Sequence, residues 1–115
     1  MLYIQNQWSS GKGKLFKSMN PLTGEIVWEG NFANASQLNA AMHVAYKSHD
    51  GWSAESIQTR IKIIRKFYTL LEKNKLPMTK LISTETGKTH ADAASEVAAT
   101  LAKLNNSILA YKKRT

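Results

Sequence analysis

A stripe of polar side chains in the last quarter of the chain has the spacing most suited to chemistry. Glu96, Thr100, Lys103 and Ser107 follow one another at intervals of four, three and four residues, which places them on one face of a helix. The ammonium group of Lys103 is a compact positive charge with three hydrogen-bond donors, and it could attract a carboxylate. An ordinary solvated lysine explains the same residue equally well, so both interpretations stay open.

Other residue types that carry catalysis or hold metals are missing from the sequence or scattered along it. The chain has no cysteine, which excludes disulfides, zinc–thiolate sites and a thiol nucleophile. Its histidines, His43, His49 and His90, lack the spacing of a metal site, so we predict no metal and surface or half-buried histidines. The glycines at 11 and 13 lack the spacing of a phosphate-binding loop. We therefore assign no catalytic, cofactor-binding or metal-binding residue.

Composition and charge are those of a globular protein with a basic surface. Of 115 residues, 43% are hydrophobic and 21% are charged, and the net charge is +8. No apolar stretch approaches the roughly 20 residues that span a bilayer, and residues 1–5 lack a basic start and a long apolar run, so we predict no membrane partner and a cytoplasmic location. The basic residues are not interleaved with aromatic side chains, which favours a solvated face over nucleic-acid binding.

The N-terminal third, residues 1–32, is predicted to form a β-hairpin or a small antiparallel unit. Leu2, Ile4 and Trp8 suggest a strand that is interrupted by a turn at residues 6–7. The proline and glycine of residues 20–25 suit a second turn, before a strand resumes at residues 26–28.

Residues 34–115 are predicted to form three to four helices. Asn34 and Gln37 can make a reciprocal capping pair at the start of the first helix, and Gly51 is expected to stop it. The second helix is expected to start near Ser56, and Pro77 is expected to separate it from a short third helix.

Gly87 is expected to end that third helix, and Thr89 or Asp92 can cap the last one. Two amphipathic stripes are expected to face the core. They are Ile57, Ile61, Ile64, Tyr68 and Leu71 in the second helix, and Val97, Leu101, Leu104, Ile108 and Tyr111 in the last helix.

Short motifs along the chain carry a resemblance to a known family. They are Ile4-Gln5-Asn6-Gln7-Trp8, Asn20-Pro21-Leu22-Thr23-Gly24-Glu25, Trp52, Arg60, Leu70-Leu71-Glu72 and Glu85-Thr86-Gly87-Lys88. In their order and spacing over essentially the whole chain they resemble the start of the NAD(P)-dependent aldehyde dehydrogenases. Two positions depart from the family pattern, Asn6 where glycine is usual and Thr89 where proline is usual. Asparagine tolerates a positive φ better than most residues, so the turn at Asn6 stays possible.

The resemblance implies an α+β fragment of the aldehyde dehydrogenase fold. In the family, a cysteine thiolate attacks the aldehyde, hydride passes to NAD or NADP, and a Glu-activated water releases the acid. The closing stretch, from Glu96-Val97 to Arg114-Thr115, resembles members that oxidise a dicarboxylic semialdehyde in bacterial arginine catabolism. The family's nucleophile, general base and cofactor glycines lie later in the sequence than residue 115, so we expect the chain alone to be inactive and to bind no cofactor. Its expected partners are the remaining domains of such an enzyme, or further copies of itself.

The resemblance also implies a place for the polar stripe. In the family the corresponding helix lines the substrate tunnel, and Glu96, Ala99, Thr100 and Lys103 would occupy or adjoin the lining face. Glu96, Thr100 and Lys103 are therefore the tunnel candidates, with Lys103 placed to meet a substrate carboxylate. The alternative for the whole chain is a stand-alone basic helical interaction module without catalysis. Large exposed apolar faces would distinguish a part of a larger core from such a module.

Overall fold

A computed structural model describes residues 1–114, with four short strands followed by four helices. The strands are β1 (Leu2–Ile4), β2 (Gln7–Ser9), β3 (Leu15–Met19) and β4 (Ile26–Asn31). The helices are α1 (Ala35–Ala54), α2 (Ile57–Lys73), α3 (Lys75–Thr86) and α4 (His90–Arg114). This order of elements confirms the predicted α+β class. Thr115, which closes the stretch used for the resemblance, lies outside the described residues.

The strands form two antiparallel hairpins, one more than the sequence predicts. β1 pairs with β2 so that Tyr3 lies opposite Trp8, and β3 pairs with β4. The first turn is centred on Gln5 and Asn6, whose φ angles are 52° and 62°. Two successive positive φ angles are typical of the tight type I′ hairpin turn. The turn predicted at residues 6–7 thus lies one residue earlier, and it closes a complete hairpin instead of interrupting one strand.

The chain divides into two compact units. One comprises residues 1–19 and 23–55, and the other comprises residues 20–22 and the chain from residue 56 onward. The first unit therefore contains both hairpins and α1, and the second contains α2, α3 and α4. The predicted division into residues 1–32 and 34–115 follows the change from strand to helix, whereas these units follow spatial contacts.

The capping pair predicted for α1 is present, but the predicted stop is wrong. Asn34 Oδ1 accepts a hydrogen bond from Gln37 N at 2.9 Å, and Gln37 Oε1 accepts one from Asn34 N at 3.2 Å. α1 continues through Gly51 to Ala54 and ends where Glu55 becomes extended. An exposed glycine inside a helix costs about 1 kcal/mol relative to alanine, which weakens a helix without ending it.

α2 starts as predicted, whereas the break after it lies earlier than Pro77. Ser56 Oγ accepts a hydrogen bond from Thr59 N at 3.1 Å and caps α2. Asn74 leaves the helical region with φ −102° and ψ 11°, and α3 begins at Lys75. Pro77 is therefore the third residue of α3, where a backbone N–H would have no intrahelical partner, so the proline interrupts nothing.

The turn between α3 and α4 follows the prediction. Gly87 has φ 71°, the left-handed conformation that ends many helices, and its N–H donates to Ser83 O at 2.9 Å. Thr89 Oγ1 accepts a hydrogen bond from Asp92 N at 3.1 Å and donates to Asp92 Oδ2 at 2.8 Å. Of the two predicted caps, Thr89 is the residue that caps the start of α4.

The core of the second unit is small and lies along α4. Ala93, Val97 and Ile108 are its buried apolar residues, and Leu101 and Leu104 are partly buried. The predicted stripe of α2 is partly buried at every position, so both predicted stripes face inward except at Tyr111, which stays exposed. Many other large apolar side chains remain exposed on both units.

Candidate functional site

Two of the three tunnel candidates line an open groove between α2 and α4. Thr100 and Lys103 contribute the polar part of its lining, and the groove encloses about 520 Å³. The rest of its lining is apolar and consists of Phe67, Leu71, Ala99 and Leu104. We name this depression the Lys103 groove. It combines one cation with an apolar wall, an arrangement that can hold a short aliphatic anion.

The polar groups of the Lys103 groove differ in their availability. Thr100 Oγ1 donates to the backbone carbonyl of Glu96 at 2.9 Å, so its hydrogen is already used within α4. Lys103 is exposed, and its ammonium group makes no hydrogen bond and no ion pair with any residue within 1–114. The ammonium group of Lys103 is therefore the available polar group of this groove.

Glu96, the third candidate, lies outside the lining of the Lys103 groove. Its carboxylate pairs with the ammonium group of Lys88, which follows the glycine that ends α3. The two side chains are 46% and 45% exposed, and pairs with this much water contribute about 0 to 1 kcal/mol. No sequence pattern predicted this pair, because Lys88 lies in the turn before α4 and therefore has no helical spacing to Glu96.

α2 and α4 each supply two residues to the apolar wall of the Lys103 groove. Leu71 belongs to the predicted stripe of α2, whereas Phe67, four residues earlier, is not part of that stripe. The helical spacing between Phe67 and Leu71 is the signal that could have identified it. What spacing cannot supply is the partner helix, because the relative rotation of α2 and α4 depends on side-chain packing.

His43, His49 and His90 are exposed, and no group of three or more His, Cys, Asp or Glu residues within 1–114 could hold a metal ion. None of the helices in that part of the chain has the length and apolar character needed to cross a bilayer.

Comparison with known proteins identifies the family. The profile of the aldehyde dehydrogenase family matches residues 8–114. The chain belongs to this family. The N-succinylglutamate 5-semialdehyde dehydrogenase of Salmonella heidelberg (strain SL476) is 40% identical over 114 residues, which are 99% of this chain and 23% of that protein. The chain thus spans less than a quarter of the length of this relative and corresponds to its N-terminal part.

Solved aldehyde dehydrogenase structures share the fold. The NAD-dependent benzaldehyde dehydrogenase from Corynebacterium glutamicum superposes with a TM-score of 0.86 and 24% sequence identity. The match covers 91% of this chain and 23% of the length of that enzyme. The succinate-semialdehyde dehydrogenase from Burkholderia pseudomallei superposes with a TM-score of 0.80 and 26% sequence identity. The match covers 86% of this chain and 21% of the length of that enzyme. These matches confirm the aldehyde dehydrogenase fragment predicted from the motifs. The predicted resemblance to enzymes for dicarboxylic semialdehydes is confirmed as sequence similarity over 114 residues of the chain.

Proposed function

We propose that this chain is the N-terminal part of an NAD(P)-dependent aldehyde dehydrogenase that oxidises N-succinylglutamate semialdehyde to the dicarboxylic acid in arginine catabolism. The observation that carries the proposal is the 40% identity to enzymes of that name over 99% of the chain. The NAD or NADP cofactor is proposed from membership of the aldehyde dehydrogenase family. The proposal keeps the cytoplasmic location that the sequence predicts.

Exposed apolar side chains support a place within a larger protein. Leu38, Met42 and Tyr46 follow one another at intervals of four along α1 and are 57%, 64% and 82% exposed. Residues at this spacing form one face of a helix, and a monomeric protein rarely leaves such a face open to water. This stripe favours the enzyme fragment over a stand-alone basic interaction module.

The proposed contribution of the chain to the reaction is to hold the substrate. The thiolate that attacks the aldehyde must come from elsewhere, because this chain has no cysteine. In the proposal, Lys103 binds a carboxylate of the substrate and Phe67 and Leu71 contact its aliphatic part. A hydrogen bond between charged partners of this kind contributes about 1.5 to 3 kcal/mol. Thr100 lies beside this site, and Glu96 stays a tunnel candidate at its margin.

A chimeric enzyme tests the proposed function. Residues 1–114 would replace the corresponding segment of the Salmonella enzyme, and NAD reduction would be followed with N-succinylglutamate semialdehyde and with benzaldehyde. We expect a soluble chimera that binds NAD and oxidises the semialdehyde with the higher kcat/KM. The matched control carries the corresponding segment of the benzaldehyde dehydrogenase instead.

Binding of NAD, measured separately, distinguishes a misfolded chimera from one with altered specificity. A chimera that binds NAD yet prefers benzaldehyde would contradict the proposed substrate. A chimera that stays insoluble, while the benzaldehyde dehydrogenase graft is soluble, would contradict the proposed place of the chain in this enzyme.

A further inference from the structure

A second groove between α2 and α4 has an apolar floor and a basic rim. Two adjoining depressions, of about 610 and 380 Å³, share the floor residues Ile57, Ile61 and Tyr111. The rim cations Lys62, Arg65 and Lys112 line the larger depression. We name the two depressions together the basic groove. All of its lining residues belong to the second compact unit.

The helical segments that form the basic groove carry charge of one sign. Residues 57–71 and 97–114 contain eight Lys and Arg residues and no Asp or Glu, although the whole chain has 16 cations and 8 carboxylates. Lys62, Arg65 and Lys112 are exposed, and none of them forms an ion pair with any residue that the structure describes. The apolar floor is therefore bordered by positive charges that no carboxylate of the described residues neutralises.

We propose that the basic groove holds an acidic amphipathic α-helix supplied by the rest of the enzyme. This inference rests on the proposed function, because the occupant comes from the part of the aldehyde dehydrogenase that this chain does not contain. Two neighbouring helices leave a furrow that fits a third, whose apolar side chains recur at intervals of three and four residues. Isoleucine side chains at 57 and 61 receive that apolar face, and the rim cations meet Asp or Glu residues that flank it.

Charge and shape disfavour other occupants. In a two-fold contact between copies of this chain, the rim cations would face the same cations, which repel. Nucleic acid gains much of its affinity by stacking bases on aromatic rings, whereas the floor of the basic groove is mainly aliphatic. A flat lipid surface would not reach a concave floor.

A designed peptide tests the chemistry of the basic groove on the whole chain. The probe is a labelled helical peptide with leucines at intervals of three and four residues and glutamates on both sides of them, and its binding is followed by fluorescence anisotropy. We expect the variant K62E/R65E/K112E to weaken binding by at least about tenfold. The matched control K12E/K14E/K47E changes the net charge equally on the first unit and is expected to bind like the parent.

Peptide controls separate helix recognition from plain charge attraction. A scrambled peptide of the same composition, without an apolar face, is expected to bind far more weakly than the probe. Equal binding of the probe and the scrambled peptide, or equal losses in the two triple variants, would overturn the inference. Tighter binding of single-stranded RNA or anionic vesicles, lost in K62E/R65E/K112E, would overturn it in favour of a general polyanion surface.

The chimeric enzyme separates this inference from the proposed function. If the chimera oxidises the semialdehyde and K62E/R65E/K112E leaves its assembly and thermal stability like those of K12E/K14E/K47E, the inference fails while the function stands. If the probe binds as expected but the chimera prefers benzaldehyde, the proposed substrate is wrong, whereas the inference that the basic groove binds an acidic amphipathic helix is supported.

Discussion

Lys88 and Glu96 form an ion pair that links the turn after α3 to the first turns of α4. Lys88 directly follows Gly87, whose left-handed backbone turns the chain, and Thr89 then caps the new helix. The pair therefore lies beside two local signals that fix the path of the chain here. The ion pair also engages the carboxylate of Glu96, a residue predicted to line the substrate tunnel. Lys103 is therefore the available charge of the polar stripe.

Replacement of Glu96 by glutamine should change the stability of the chain only slightly. Because both partners are about half exposed, we expect the free energy of unfolding to fall by less than about 1 kcal/mol. Urea unfolding of E96Q, K88M and the double variant gives the coupling energy of the pair. A coupling energy above about 2 kcal/mol would show that water screens this pair less than its exposure indicates.

Substitution of two glycines by alanine should have opposite effects. At Gly87 an added Cβ would lie 2.8 Å from Cγ of Pro21, on a backbone with φ 71°, so we expect G87A to lower the free energy of unfolding by about 1 to 2 kcal/mol. At Gly51, inside α1, an added Cβ would meet no atom within 4 Å apart from its chain neighbours and the adjacent backbone of its own helix, and G51A should raise stability by roughly 0.5 to 1 kcal/mol. Urea unfolding of both variants checks the signs, and two changes of the same sign would contradict the assigned backbone roles.

Replacement of Lys103 by methionine in the chimeric enzyme should lower kcat/KM for the dicarboxylic semialdehyde more than for a neutral aldehyde. Loss of a charge-assisted hydrogen bond of about 1.5 to 3 kcal/mol corresponds to a decrease of roughly tenfold to hundredfold in kcat/KM. Oxidation of benzaldehyde should change little, and K47M on α1 serves as the matched control. Equal losses for the two aldehydes, or none, would show that Lys103 is a solvated surface charge.

The 115-residue chain by itself should neither oxidise aldehydes nor bind NAD. It has no thiol to form the covalent intermediate, and its glycine-containing loop lacks the spacing of a dinucleotide-binding site. Calorimetric titration with NAD and a turnover assay measure the two properties. A stoichiometric NAD complex would contradict this prediction.

The isolated chain should also self-associate or be only marginally stable. Apolar stripes such as Leu38, Met42 and Tyr46 are open to water, and the buried core of the second unit is small. Sedimentation velocity and binding of a hydrophobic dye test this expectation. A monomer with a sharp cooperative melt and no dye binding would rule it out.

Sequence reasoning succeeded where the deciding residues lie within a few positions of each other. The capping pair of Asn34 and Gln37 and the left-handed Gly87 are local, because each hydrogen bond joins neighbours in sequence. The predictions for Gly51 and Pro77 were wrong because glycine and proline have different effects at different positions of a helix. Only the backbone conformation shows which position each residue occupies. The two grooves could not be predicted, since their walls combine α2 with α4 and depend on how these helices pack.

α4 supplies side chains to three surfaces at once along its 25 residues, a length of about 37 Å. Val97 and Ile108 fill the core, Thr100 and Lys103 line one groove, and Lys112 borders the other. Deleting one residue near Ala102 would rotate everything beyond it by about 100° and move Lys103, Ile108 and Lys112 together to the wrong faces. This helix can therefore evolve by substitution but tolerates changes of length only in steps close to seven residues, which restore the same faces.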